Sequence, residues 1–151
     1  MLKYCVEQWD KNKGKLEADI RANIQAYSDE SYEYLVKQVA EIILSDENGN
    51  EYNSSKITEI DNGDYQGTLL YMIPRKTYQP SADEYLMTHV SYGSCSGCDT
   101  LQSIQMDYDL ERDLEQIVKE YMQLCLHLVQ NVIKPYNGGW RNDERFEHVE
   151  Q

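Results

Sequence analysis

The segment Cys95-Ser96-Gly97-Cys98 holds the residue types and spacing best suited to chemistry in this chain. It follows a predicted strand and precedes a predicted helix. A redox pair is one reading, because a helix N-terminus stabilises a thiolate. The order strand, CxxC, helix matches the local context of thioredoxin-like proteins. No βαβ unit precedes it, however, and Asp99 beside Cys98 opposes a thiolate. Zinc is a second reading. Cys95 and Cys98 supply two of four ligands, and Cys5, His89, Cys125 or His127 would have to complete the set. Cys125 and His127 are two apart on a predicted helix and so point about 200° apart, which prevents both from reaching one ion. A third reading is an anion nest, in which backbone N–H groups of Gly93, Ser94, Ser96 and Gly97 hold a phosphate or carboxylate. Against all three stands a tight turn whose small thiols pack beneath the helix. That plain reading is favoured, so no cofactor is expected and zinc is kept as an alternative.

Other catalytic patterns are thin. His89 in Thr88-His89-Val90-Ser91 reads as a lone strand histidine. The chain contains no G-x-S-x-G, no phosphate-binding G-x-x-x-x-G-K-[ST] and no H-E-x-x-H. Acidic pairs are abundant, and nothing in their spacing selects two for acid–base work. The expectation is a protein that is not an enzyme.

Three zones must position these residues. Leu2 to Leu44 reads as helix, with Leu16, Ile20, Ile24 and Tyr27 on one face. Gly14 is expected to separate a short first turn, and Ser28 or Asp29 to cap a restart. Lys56 to Tyr92 reads as three strands. The first, Ile57–Asp61, ends in Asn62-Gly63, the strongest short hairpin signal, and Gly67 marks a bulge in the second. The third is Glu84–Tyr92. Beyond the CxxC loop, a short helix from Thr100 to Met106 and a long one from Asp107 or Asp109 to Ile133 are expected. The long helix carries the stripe Leu110, Leu114, Ile117, Val118, Tyr121, Leu124, Cys125, Leu128 and Val132. The fold expected is α+β, a three-stranded antiparallel meander with helices packed on one face. One domain over 1–139 and a mobile, charged tail over 140–151 complete the outline.

Composition narrows the partners. The chain has 151 residues, enough for one domain with a real core. Its formal net charge is −13, which argues against direct nucleic-acid binding and against anionic membrane surfaces. No apolar run approaches a spanning helix and the first residues carry no signal-peptide stretch, so a cytoplasmic location is expected. The four cysteines would then sit in a reducing compartment, where structural disulfides are rare. Thirteen tyrosines stand against one phenylalanine, a choice that suits half-buried surfaces and interfaces.

The segments Ile57-Thr58-Glu59-Ile60-Asp61-Asn62-Gly63-Asp64-Tyr65-Gln66-Gly67-Thr68 and Tyr92-Gly93-Ser94-Cys95-Ser96-Gly97-Cys98-Asp99-Thr100-Leu101 resemble small uncharacterised accessory proteins of tailed phages and prophages. The resemblance carries no active site. It implies a protein working in the bacterial host cytoplasm that binds and inhibits a host factor, a defence system above all. The partner would be a host protein with a basic patch. The contacts expected are Asn62, Gly63, Tyr65, Tyr92, Gly93, Ser94, Ser96, Gly97 and Asp99. A second reading is a sponge that sequesters a small nucleotide signal at a homo-oligomer interface, held by the Gly93–Asp99 nest and tyrosine stacking, with Arg75 or Lys76 on its phosphate. A third is a zinc or thiol protein centred on Cys95 and Cys98.

Overall fold

The computed structural model describes residues 2–47, 49–63, 67–77, 79–80, 84–93, 99–135 and 146–147. Helix α1 (Lys3–Ala22) buries Cys5, Gln8, Asn12, Leu16 and Ile20 along one face at helical spacing. It runs unbroken through Gly14, where a separation was expected. Buried residues on both sides of Gly14 share that face, and their burial outweighs the roughly 1 kcal/mol helix penalty of a glycine. Helix α2 (Ile24–Asp29) follows. The restart comes later than expected. Ser28 is still helical and buried, and its hydroxyl lies 3.1 Å from the Tyr121 hydroxyl, while α3 (Tyr32–Gln38) begins after Ser31.

Helix α3 passes into a π-helical turn, Val39–Leu44, in which Ser45 N–H reaches back to the Ala40 carbonyl at 3.1 Å. The carbonyls at this end face α1. Gln8 Nε2 donates to those of Ile43 and Ser45 (3.2 and 3.3 Å), and Asn12 Nδ2 donates to that of Ile43 (3.3 Å). Two buried amides on α1 thus satisfy carbonyls that a helix end leaves without intrahelical partners.

The sheet is the expected meander. Strands β1 (Thr58–Gly63), β2 (Gly67–Pro74) and β3 (Tyr85–Tyr92) pair antiparallel in the order β1-β2-β3. The hairpin turn differs from the sequence reading. Asn62 and Gly63 belong to β1, paired with Thr68 and Gly67, and the connection is residues 64–66, outside the described residues. Gly67 pairs in register with Gly63 and Tyr92, so it marks no bulge. Its role is close approach, since a Cβ there would lie 2.5 Å from the Asn62 carbonyl oxygen.

Leu69, Tyr71 and Ile73 of β2 and Leu86 and Thr88 of β3 form the buried face. Helix α5 (Leu114–Gln130) packs there, its Leu128 carbonyl accepting from the Thr88 hydroxyl. The outer edge of β3 is closed by Ile133, which exchanges two backbone hydrogen bonds with Met87 (2.9 and 2.8 Å). All six residues of β1 are exposed, and among the described residues β2 is its one neighbour in the sheet.

Helix α4 (Thr100–Asp109) and α5 replace the single long helix expected from Asp107 or Asp109. Glu111 adopts a positive φ of 55°, its N–H bonds the Tyr108 carbonyl (3.0 Å), and Arg112 N–H bonds that of Asp107 (2.9 Å). This is a Schellman stop with glutamate at the position usually held by glycine. Asp113 then caps α5 through Glu115 N–H at 3.1 Å. Leu110 and Leu114, expected in the stripe, are 56% and 45% exposed because the break lifts them off the core, while Ile117 to Leu128 stay buried. The α5 cap is therefore Asp113, six residues past Asp107 and four past Asp109, where the start was expected. Of the tail expected beyond residue 139, the described part is Phe146–Glu147 (β5), paired with Lys134–Pro135 (β4). No helix among the described residues is long and apolar enough to cross a membrane.

Tyrosine does much of the stapling. Tyr27, Tyr71 and Tyr121 are fully buried, and Tyr32 nearly so. Each hydroxyl finds a partner from another element: Tyr27 on Asp19 (2.7 Å), Tyr71 on Glu59 (2.7 Å), Tyr121 on the Tyr27 carbonyl (3.2 Å) and Tyr32 on Asp99 (2.8 Å). The apolar ring fills the core while the polar tip links two elements.

Candidate functional site

The Gly93–Asp99 loop is fastened at both ends by one carboxylate. Asp99 is buried at the N-cap of α4, where its Oδ1 accepts from Gln102 N–H (3.1 Å) and from the Tyr32 hydroxyl (2.8 Å). Its Oδ2 accepts from Gly93 N–H (2.9 Å), and Gln102 Nε2 donates to the Gly93 carbonyl (3.2 Å). The Tyr32 hydroxyl in turn accepts from Leu101 N–H at 3.1 Å. A carboxylate held by three donors can stay buried without a cation. Ser94, Cys95, Ser96, Gly97 and Cys98, between these anchors, lie outside the described residues, as does Tyr65.

Beside this clasp lies a cleft of about 390 Å³. Its walls come from the start of α3, the buried-face side of β1, the end of β3 and the first turns of α4. Glu30, Glu33, Glu59, Asp61 and Asp99 line it, and among the described residues no Lys or Arg does. The register explains how β1 contributes. Glu59 stands opposite Tyr71 and Asp61 opposite Leu69, so both acids take the side of the sheet that the helices cover farther along. Tyr71 donates to Glu59 Oε1, and Tyr92, paired with Gly67, reaches across β2 to Asp61 Oδ1 at 2.6 Å. Among the described residues, no Lys or Arg forms an ion pair with Glu30, Glu33, Glu59 or Asp61.

Asn62, Gly63, Tyr92, Gly93 and Asp99 therefore gather at one end of the sheet. Arg75 does not join them. It follows Pro74 at the far end of β2, roughly 25 Å away at the usual rise per residue. There its N–H bonds the Glu84 carbonyl (2.8 Å) and its guanidinium bonds Asn50. Comparison with family models, curated proteins and solved structures finds no match for the chain. The geometry of the cleft is accordingly the ground for any reading of function.

The other named thiols and imidazoles are dispersed. Cys5 and Cys125 are buried, and burial pushes each thiol up to about 12. His89 and His127 are exposed, His127 on the opposite side of α5 from Cys125. Among the described residues, no group of three or more His, Cys, Asp or Glu side chains is placed to hold a metal ion. A larger cleft of about 590 Å³ runs between α1 and the π-helical turn. Its lining mixes Lys11, Lys15 and Lys76 with acids, and its buried Gln8 and Asn12 already cap backbone carbonyls. Sequence reasoning did not single out Glu30, Glu33 or Glu59 from the abundant acids. The strand alternation Glu59, Asp61 was the available signal, since it puts both on one face.

Proposed function

We propose that this chain is a binding protein, without catalytic activity of its own, that docks on a basic patch of a host protein. The observation that supports it is the acidic cleft, whose carboxylates come from Glu30, from Glu33 of α3, from Glu59 and Asp61 of β1 and from Asp99, with no cation among the described lining residues. Carboxylates with no cation partner among the described residues, in a chain of net charge −13, raise the encounter rate with a cationic surface and reject anionic ones. The same lining favours a cationic occupant over a nucleotide phosphate. The resemblance to phage accessory proteins makes a bacterial defence component the class of host factor to look for first. Tyr92 at the cleft rim supplies an aromatic contact next to the charge.

The test compares capture from a bacterial host lysate by the wild-type chain and by Glu33→Lys/Asp61→Lys, each at low and high salt. The proposal expects a protein held by the wild type, released as salt rises, and not held by the variant. The same capture by both chains, or capture indifferent to salt, would rule the cleft out as the docking site.

A further inference from the structure

We infer that the open edge of β1 receives an extended segment of the partner, with Lys or Arg at alternate positions, as a fourth strand of the sheet. This rests on the reading of the cleft as a site for a cationic protein and specifies how the partner is held.

Strand β1 is an edge. Its six residues are exposed, and among the described residues no backbone hydrogen bond outside the β1–β2 ladder involves Thr58–Gly63. Every second residue of such a strand points its N–H and C=O groups away from the sheet, ready to pair with another chain. The opposite edge lacks this opening at Met87, where Ile133 takes both backbone bonds.

Side-chain alternation sets what the added strand must carry. Glu59 and Asp61 face the cleft, each accepting one tyrosine hydroxyl and neither paired with a cation among the described residues. A neighbouring strand places its same-face side chains about 5 Å from theirs. Lys or Arg there meets Glu59 and Asp61 directly and reaches on towards Glu33 and Glu30. On the other face Ile60 is 45% exposed, so the intervening positions of the partner strand suit apolar side chains. A second copy of this chain is the wrong occupant. Pairing β1 with β1 sets Glu59 and Asp61 of one copy beside those of the other, and like charges across a ladder repel. Acids on an edge ordinarily keep strands apart, and a cationic segment converts the same charges into attraction.

The experiment titrates the full chain with a capped peptide alternating arginine and valine. Two further versions carry backbone N-methyl groups on all arginines or on all valines, which keeps the charge and blocks one edge of the peptide. The expected result is binding of the parent peptide, a loss of about tenfold or more for one methylated version, and new hydrogen-exchange protection within Thr58–Gly63. Glu59→Lys/Asp61→Lys should lose the parent peptide as well. Equal binding of all three peptides overturns strand addition while the cationic reading stands. No binding of any of them overturns both.

Discussion

The hydroxyl of Tyr32 donates to Asp99 Oδ1 at 2.8 Å, tying the first residue of α3 to the N-cap of α4 across 67 positions of sequence. The other oxygen of the same carboxylate holds Gly93 N–H, at the far side of the CxxC loop. One side chain thus caps a helix, closes a loop and fixes one wall of the acidic cleft. Asp99 was expected to contact a partner, yet its described bonds are all internal.

Asp99→Ala should therefore lose about 2–3 kcal/mol of unfolding free energy, combining a lost cap with buried donors left unpaired. Asp99→Asn keeps an acceptor and should lose less, and Tyr32→Phe about 1 kcal/mol. Urea denaturation measures all three. A loss below about 0.5 kcal/mol for the alanine variant would mean that the loop relaxes without the clasp.

Backbone fit predicts opposite signs at three positions. Gly67→Ala should cost about 2 kcal/mol or more, because its Cβ would meet the Asn62 carbonyl, a backbone atom that cannot swing away. Gly14→Ala should gain about 0.5–1 kcal/mol, since nothing lies within 4 Å of a Cβ there and the residue is mid-helix. Glu111→Gly should gain about 1 kcal/mol by relieving the positive φ at the end of α4. Thermal unfolding of the three variants reads the order, and a gain at Gly67→Ala would contradict the hairpin register.

Binding and stability should part at the cleft. Glu33→Gln removes one charge from a set of like charges, so unfolding free energy should stay the same or rise slightly. Affinity for a cationic partner should fall, and its salt dependence should flatten with it. Isothermal titration at two ionic strengths beside a denaturation curve would show whether the two quantities separate. A parallel loss of both would make Glu33 structural.

The protein should unfold in alkali. Burial raises the hydroxyls of Tyr27 and Tyr71 and takes Tyr121 to about 12, and it takes the thiols of Cys5 and Cys125 to about 12. The native chain then keeps protons that the unfolded chain releases, so stability is full below the unfolded values and falls as pH rises above them. The thiols begin this loss near pH 9 and the tyrosines near pH 10, at about 1.4 kcal/mol per group per pH unit. The part of the tyrosinate absorbance that comes from these three buried rings should rise together with loss of helical circular dichroism. Ionisation of the full set of thirteen tyrosines well before unfolding would show the buried rings to be open to solvent.

The local pattern of this sequence determined the fold class, because strand alternation and helical stripes are read within a few residues. Leu69, Tyr71 and Ile73 alternate, and Ile117, Val118, Tyr121, Leu124, Cys125 and Leu128 share one helical face whatever lies opposite. Local signals misplaced boundaries where backbone chemistry competed. Asn62-Gly63 looked like a turn, but the pairing of Gly67 with Gly63 kept both residues in the ladder. Asp107 or Asp109 looked like the start of one long helix, but Glu111 took a left-handed conformation and ended a helix there. The cleft itself was decided by tertiary structure alone. Glu33 and Glu59 are 26 positions apart, and in a chain this acidic no spacing rule distinguishes them from acids that face solvent. Burying Tyr32 and Tyr71 in one core brought those two carboxylates to the same cleft, and that long-range packing is written in no single stretch of the chain.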